Sequence, residues 1–197
     1  VKHLTQRNKV LQGAQSTSVV GIYSKPDPFD FDESILISIH DASWANDEKI
    51  VDDRVYPRRS QFGRINMFAS KDLWDNEDGG YVHFISWKSG LIKKTCRSIF
   101  RAETMGMIYG TEEGMQLRAV LTSLRGQFQF KDWDEECAAK IKQIWYTDCE
   151  SLHSYLINPI AAGCEDKRLD IDLEGLREYL WDYADGTPKD DIKDQQH

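Results

Sequence analysis

The chain has 197 residues, of which 40% are hydrophobic and 29% charged, the composition of one medium-sized globular domain with extensions. It holds no apolar run of membrane-spanning length, and residues 1–12, polar and basic, predict no secretory leader. The net charge of −8 argues against nucleic acid as partner for the chain as a whole, but the charge is unevenly spread. Residues 54–101 hold ten Lys/Arg against four acids, a balance of +6 that leaves the remainder at −14. A basic block in an acidic chain is a candidate phosphate-binding face, to be weighed against an ordinary solvated surface. The four cysteines, Cys96, Cys137, Cys149 and Cys164, lack C-x-x-C spacing and read as free thiols of a reducing compartment, not a disulfide framework or zinc site. Val1 in place of Met predicts a piece of a longer or processed polypeptide.

In chain order, residues 1–15 give a weak helical pattern around Leu4, Val10 and Leu11, and the run at Val19, Val20, Ile22 and Tyr23 reads as a short strand. Lys25 to Ser34, with two prolines and several acids, reads as a linker. Ile35, Ile37 and Ile39 then alternate with Leu36, Ser38 and His40, which predicts a central strand ending at Asp41. Asn46 to Arg59 reads as a loop, Gln61 to Ala69 as a second strand, and the turn-rich Asp72 to Gly80 leads to a third strand from Tyr81 to Trp87. The spacing of Ala102, Met105, Ile108 and Tyr109, then Leu117, Leu121 and Leu124, predicts a long helix over 98–124, stopped by Gly126. Helices over 131–140, 150–156 and 169–183 flank a fourth strand, Ile141 to Thr147. From Asp185 the chain is polar without an apolar face and predicts a disordered tail. No internal repeat or low-complexity segment is present.

Three acids hold comparable positions. Asp41 follows the first strand, Glu103 lies in the first turns of the long helix, and Asp148 follows the fourth strand. If those strands are adjacent and parallel, Asp41 and Asp148 lie side by side, and a helix across the sheet brings Glu103 onto them. Three converging carboxylates repel unless a divalent cation neutralises them, and an all-oxygen donor set favours Mg²⁺. The bland alternative is a set of turn and surface acids. His40 and His83 read as packing or hydrogen-bonding residues, and Trp44 and Trp87 as core.

The segments in order resemble a known family, the ribonuclease H domain of Ty/copia-type retrotransposon polyproteins, downstream of reverse transcriptase. Asp41-Ala42-Ser43-Trp44-Ala45 is similar to the family's Asp-Ala-Asp-Trp-Ala, and Arg58-Arg59-Ser60-Gln61-Phe62-Gly63 to its Arg-Arg-Ser-x-x-Gly. Ile85-Ser86-Trp87-Lys88-Ser89 matches Ile-Ser-Trp-Lys-Ser, and Ser98 to Glu103 resembles Ser-x-x-Glu-Ala-Glu with Arg101 at the first Glu. Tyr146-Thr147-Asp148-Cys149 resembles Tyr-x-Asp-Asn, and Arg168-Leu169-Asp170-Ile171 echoes His-Ile-Asp-Ile. Upstream, Asn8-Lys9-Val10-Leu11 and Val20-Gly21-Ile22-Tyr23 resemble the connection to the transcriptase.

The resemblance implies an α/β, ribonuclease H-like fold: a mixed sheet of three antiparallel strands and at least one parallel strand with helices packed on it. It implies a connection over 1–30, the domain over 31–184 lacking its last strand, and a polar tail over 185–197. The implied activity is metal-dependent hydrolysis of the RNA strand of RNA–DNA hybrids during reverse transcription. Asp41, Glu103 and Asp148 are the implied catalytic residues and ligands of Mg²⁺ or Mn²⁺. Lys88, Lys93, Lys94, Arg97 and Arg101 are the implied nucleic-acid contacts. The implied partners are the hybrid and the reverse transcriptase domain of the same polyprotein, with no membrane, in a cytoplasmic virus-like particle or the nucleus and not secreted. The family uses a fourth acid in an Ala-Asp-x-x-Thr-Lys context that this sequence lacks, so the chain reads as stopping before it; Asp170 reads as a helix-capping residue and not a substitute. Two alternatives stay open: a decayed or domesticated fragment that binds nucleic acid or protein without cleaving, and a transposase or integrase of the same fold, which the Ile-Ser-Trp-Lys-Ser segment disfavours.

Overall fold

The computed structural model describes residues 33–51, 54–74, 82–158, 163–181 and 186–194. The expectations for residues 1–30 lie outside them. The described chain is α/β, with a five-stranded mixed sheet and four helices. The strands are β1 (Ser34–Val51), β2 (Arg54–Ser70), β3 (Val82–Leu91), β4 (Gln143–Thr147) and β5 (Asp191–Asp194), in spatial order β3-β2-β1-β4-β5. The first three form an antiparallel meander, and β4 and β5 run parallel to β1. The helices are α1 (Ile99–Leu124), α2 (Trp133–Lys140), α3 (Glu150–Ile157) and α4 (Lys167–Leu180). No helix among the described residues is long and apolar enough to cross a membrane. The four cysteines are free thiols.

β1 is central because both its faces bury. Leu36, Ser38 and His40 face α1, and Ile35 and Ile37 join Met67, Ala69 and Ile144 in an apolar cluster on the other face. A second cluster, of Met107, Trp145, Leu152, Leu173, Leu176, Leu180 and Ile192 among others, packs α3 and α4 against β4, β5 and α1. Truncating one of its leucines to alanine costs about 2–5 kcal/mol through lost burial and the cavity left behind.

α1 begins where the sequence places it, with the Ser98 side chain accepting from the Arg101 N–H as N-cap. The apolar series that predicted the helix packs on the sheet, Ala102, Met105, Ile108 and Tyr109 with Ala42 and Phe62, and Leu117 and Leu121 with Leu36 and Phe68. The line of closest approach to β1 is a narrower stripe of four-residue spacing within that surface. It is Ala102, Gly106, Gly110, Gly114 and Arg118, each four residues on and all buried. A Cβ on Gly106 would stand 3.4 Å from the Asp41 carbonyl oxygen, and one on Gly110 3.6 Å from the His40 Cβ. A Cβ on Gly114 would overlap the Gln143 amide, whose Nε2 donates to Ser38 Oγ at 2.7 Å. The bare stripe lets the helix backbone lie close against β1. Beside it, Met107 packs with Trp145 of β4, and the Tyr109 ring lies 4.7 Å from that of Phe62 on β2. Arg64 of β2 pairs with Glu113 and donates to the Tyr109 carbonyl oxygen.

Several expectations are corrected. The predicted loop over 46–59 is largely ladder: β1 continues to Val51 and β2 starts at Arg54, after register shifts between Ser43 and Asp47 and between Asp47 and Lys49, beside Ala45 at a φ of 56°. The last helix spans Lys167–Leu180, not 169–183. The predicted disordered tail over 185–197 contains β5, so the sheet has a strand after its last helix, where the sequence reading had none. Four residues with one apolar member carry no periodicity to detect. β5 is held by its ladder to β4, by Ile192 in the apolar cluster, and by the preceding Asp190, which accepts from the Gln143 N–H at 2.9 Å and pairs with Arg118 at 3.0 Å. Both side chains are buried, and removing one would cost about 3–5 kcal/mol by leaving the other uncompensated.

The glycine stripe yields a contrast. Gly110→Ala meets only ordinary van der Waals contact and gains about 1 kcal/mol of helix propensity, so its urea midpoint holds or rises. Gly114→Ala displaces the buried Gln143 amide from Ser38, and its midpoint falls by the equivalent of about 1–3 kcal/mol.

Candidate functional site

The parallel pairing of β1 and β4 ends at Ile39 opposite Tyr146. Asp41 and Asp148 each stand two residues beyond that last pair, so both acids project past the point where β4 stops. Asp41 is not at a strand end, as its sequence context had suggested. β1 and β2 run on beyond it, and the end that matters is that of β4. α1 runs antiparallel to β1 above this edge, which brings its first turns over the same place. Glu103 lies one residue past the Ala102 position of the sheet-facing stripe, on the row that continues through Met107 toward β4.

One ligand oxygen from each of Asp41, Glu103 and Asp148 falls within 4.8 Å of the others. Asp41 and Asp148 are exposed, and Glu103 is only 4% exposed. Burial, the Asp148 carboxylate and the Asp41 carboxylate, in that order, push the Glu103 carboxyl up to about 8, against a donated hydrogen bond from the Ala42 N–H. Its Oε2 has no hydrogen-bond partner. A buried, unpartnered carboxylate oxygen beside two more carboxylates is a donor set that a hard divalent cation satisfies and that a lone carboxylate would not occupy at neutral pH without cost. The spacing of these three carboxylates is one that could hold a metal ion.

Asp170 is elsewhere. It accepts from the Cys164 N–H at 2.7 Å and from the Tyr155 hydroxyl at 3.4 Å, bracing the entry to α4. The cap of that helix is Asp166, which accepts from the Arg168 and Leu169 N–H groups. His40 is buried without a hydrogen-bond partner on either ring nitrogen, and desolvation lowers its pKa to about 3, so it is a neutral packing residue.

The basic residues separate into two groups. Arg101 is 7% exposed and its guanidinium is taken by Asp166 at 2.5 Å and Asp172 at 3.9 Å. Lys94 pairs with Asp172 at 3.0 Å. These two brace the segment between β3 and α1 against α4. Lys88, Lys93 and Arg97 are exposed, with no ion-pair partner among the described residues. The reading of both tryptophans as core is overturned. Trp87 is 67% exposed, and Trp44 is 43% exposed with its Nε1 donating to the Cys96 carbonyl oxygen at 3.1 Å. The sequence reading missed the Ala42 N–H on Glu103 and the bracing role of Asp166 and Asp172. A backbone donor and two acids in an acidic chain carry no sequence signal.

No protein-family model matches the chain, and no curated protein matches it.

The Glu103 shift has a consequence for stability. Between its ordinary value of 4.5 and about 8 the folded, metal-free protein holds a proton that the unfolded chain has released. Stability from this group is therefore full below that window and falls as pH rises through it. Urea midpoints in chelator should drop between about pH 5 and about pH 8, and Glu103→Gln should flatten that part of the profile. Added Mg²⁺ or Mn²⁺ should restore the midpoint at the alkaline end for the parent chain and much less for the variant.

Proposed function

We propose that the chain is a ribonuclease H-like domain that hydrolyses the RNA strand of RNA–DNA hybrids in a divalent-metal-dependent reaction. The observation that carries this reading is the convergence of Asp41, Glu103 and Asp148 at the end of β4, with the buried Oε2 of Glu103 unpartnered. The sheet order and the helix crossing it are compatible with that fold, and the sequence motifs point to the Ty/copia-type retroelement family. Asp41, Glu103 and Asp148 would hold Mg²⁺ or Mn²⁺. Such an ion lowers the pKa of an attacking water and offsets charge on the leaving oxygen. Glu103 is the rigid member, fixed by burial and by the Ala42 N–H, and the exposed Asp41 and Asp148 leave the site open to a strand from solvent. Lys88, Lys93 and Arg97 supply cations for the phosphates on either side. The partners are then the hybrid and a reverse transcriptase domain of the same polyprotein, in a cytoplasmic particle or the nucleus.

A second reading, binding without cleavage, is favoured by one observation. Asp170 is committed to Cys164 and Tyr155, so the acid cluster among the described residues stops at three.

Release of label from the RNA strand of a hybrid separates the two. Mg²⁺-dependent release that falls by roughly two orders of magnitude or more in Asp148→Asn and in Glu103→Gln supports the hydrolase. Hybrid binding without release from a folded, Mn²⁺-binding chain supports the second reading. In either case log affinity should fall linearly with log salt, by about 0.9 per phosphate contact, and replacing Lys88, Lys93 and Arg97 with Glu should flatten that slope. Salt-independent binding would remove these residues from the interface.

A further inference from the structure

Gly63 sits inside β2, between Asp41 of β1 and Ser89 of β3 in the ladder. A glycine there weakens a strand, so its lack of a side chain needs a reason. The backbone is not the reason, because its φ is not in the left-handed region. Packing within the chain is not the reason either. No described atom lies within 4 Å of the place a Cβ would take, in contrast to Gly90, where a Cβ would stand 3.2 Å from the Phe62 ring. What remains is an occupant from outside that comes against the strand backbone.

The surroundings indicate its chemistry. Register places Asp41, Gly63 and Ser89 in one row on the face opposite α1, and Ile39, Ile65 and Trp87 in the next row of the same face. These six residues, together with His40, Arg64 and Lys88, line a shallow groove of about 360 Å³ that is apolar along its floor, with the broad indole of Trp87 as one wall. Its acidic member is Asp41, one of the three carboxylates. The groove is therefore continuous with the candidate metal site. An occupant that spans both has a flat or cyclic apolar body joined to a group that a carboxylate-held cation attracts.

We infer that this groove is a nucleotide subsite: the sugar of a nucleotide flanking the bond at the carboxylates lies over Gly63 and against the Trp87 indole. The absence of a Cβ at Gly63 sets how closely the strand approaches Asp41, which makes Gly63 a positioning residue for the substrate. This assignment rests on the hydrolase reading. The contact over Gly63 and Trp87 differs in kind from the charge of Lys88 at the groove's edge, since it is apolar and its affinity contribution is insensitive to salt.

The test uses Gly63→Val and Trp87→Ala in the full chain, with an RNA–DNA hybrid oligonucleotide as probe in chelator so that nothing is cut. Valine is a strand-favouring residue with room at this position, so the melting temperature of Gly63→Val should hold or rise. Hybrid affinity should fall at least about tenfold in each variant at every salt concentration, with the salt slope unchanged. Mn²⁺ affinity, measured without nucleic acid, should also be unchanged. Equal hybrid affinity in parent and variants overturns the subsite and leaves the hydrolase reading intact. A parent chain that binds no hybrid overturns that reading instead. A marked drop in melting temperature for Gly63→Val would make the glycine a packing residue of the chain itself. A parent that self-associates where the variants are monomeric would make the occupant a second copy. Either outcome overturns the inference.

Discussion

The close approach of α1 to β1 is the constraint on which the rest depends. A helix on a sheet is ordinarily held off by its own side chains. Here Gly106, Gly110 and Gly114 remove them from the contact line, and the helix backbone comes near the Asp41 carbonyl and the His40 Cβ. That proximity lets the short reach of Glu103 meet the carboxylates of Asp41 on β1 and of Asp148 just past the end of β4. It also lets the Ala42 N–H, on the strand, hydrogen-bond to a helix side chain. Two polar anchors keep the helix in register on this bare line. Arg118 reaches the Ile141 carbonyl oxygen and Asp190 at one end, and the Arg64–Glu113 pair ties it to β2 along its flank. Glycines alone would permit sliding; the anchors oppose it.

The acid cluster is electrostatically unfavourable as it stands. Folding brings three carboxylates together, one of them out of water, and the raised pKa of Glu103 is the direct expression of that conflict. Strain of this kind is concentrated where a ligand relieves it, and the surrounding core supplies the stability that tolerates it. The large apolar cluster of Trp145, Met107 and the leucines of α3 and α4 lies immediately behind the end of β4. Glu103 and Asp148 thus stand next to elements anchored in this cluster, which restricts their positions.

Charge is partitioned in a similar way. The basic block seen in the sequence does not act as one surface. Lys94 and Arg101 are consumed in holding the segment between β3 and α1 against Asp166 and Asp172, and only the outward cations remain for an anionic partner. The opposite, open face of the β1–β3 meander is apolar next to Asp41. The surroundings of the carboxylates therefore combine exposed cations with an apolar strip.

The meander, the central strand, the long helix over 98–124 and the acids at 41, 103 and 148 were legible in the sequence, because alternation and helical spacing are local properties. The sequence also showed that Asp41 and Asp148 are equivalent in position if their strands are parallel neighbours. Tertiary structure decided the remainder. That β1 and β4 are such neighbours, that α1 lies over their shared edge, and that Gly106, Gly110 and Gly114 form its contact line are facts about packing between segments far apart in the chain. β5 was invisible because its one apolar residue, Ile192, makes no pattern, and the pairing with β4 and the buried Arg118–Asp190 pair that help hold it are contacts with distant segments. Trp44 and Trp87 were misread because composition assigns large aromatics to the core, and only the finished sheet shows which of its faces stays open. Arg101, read as a nucleic-acid contact, pairs with Asp166, and Asp170, read as a helix cap, accepts from the Cys164 N–H instead, because whether a charge is free or committed depends on which distant residue the fold places beside it.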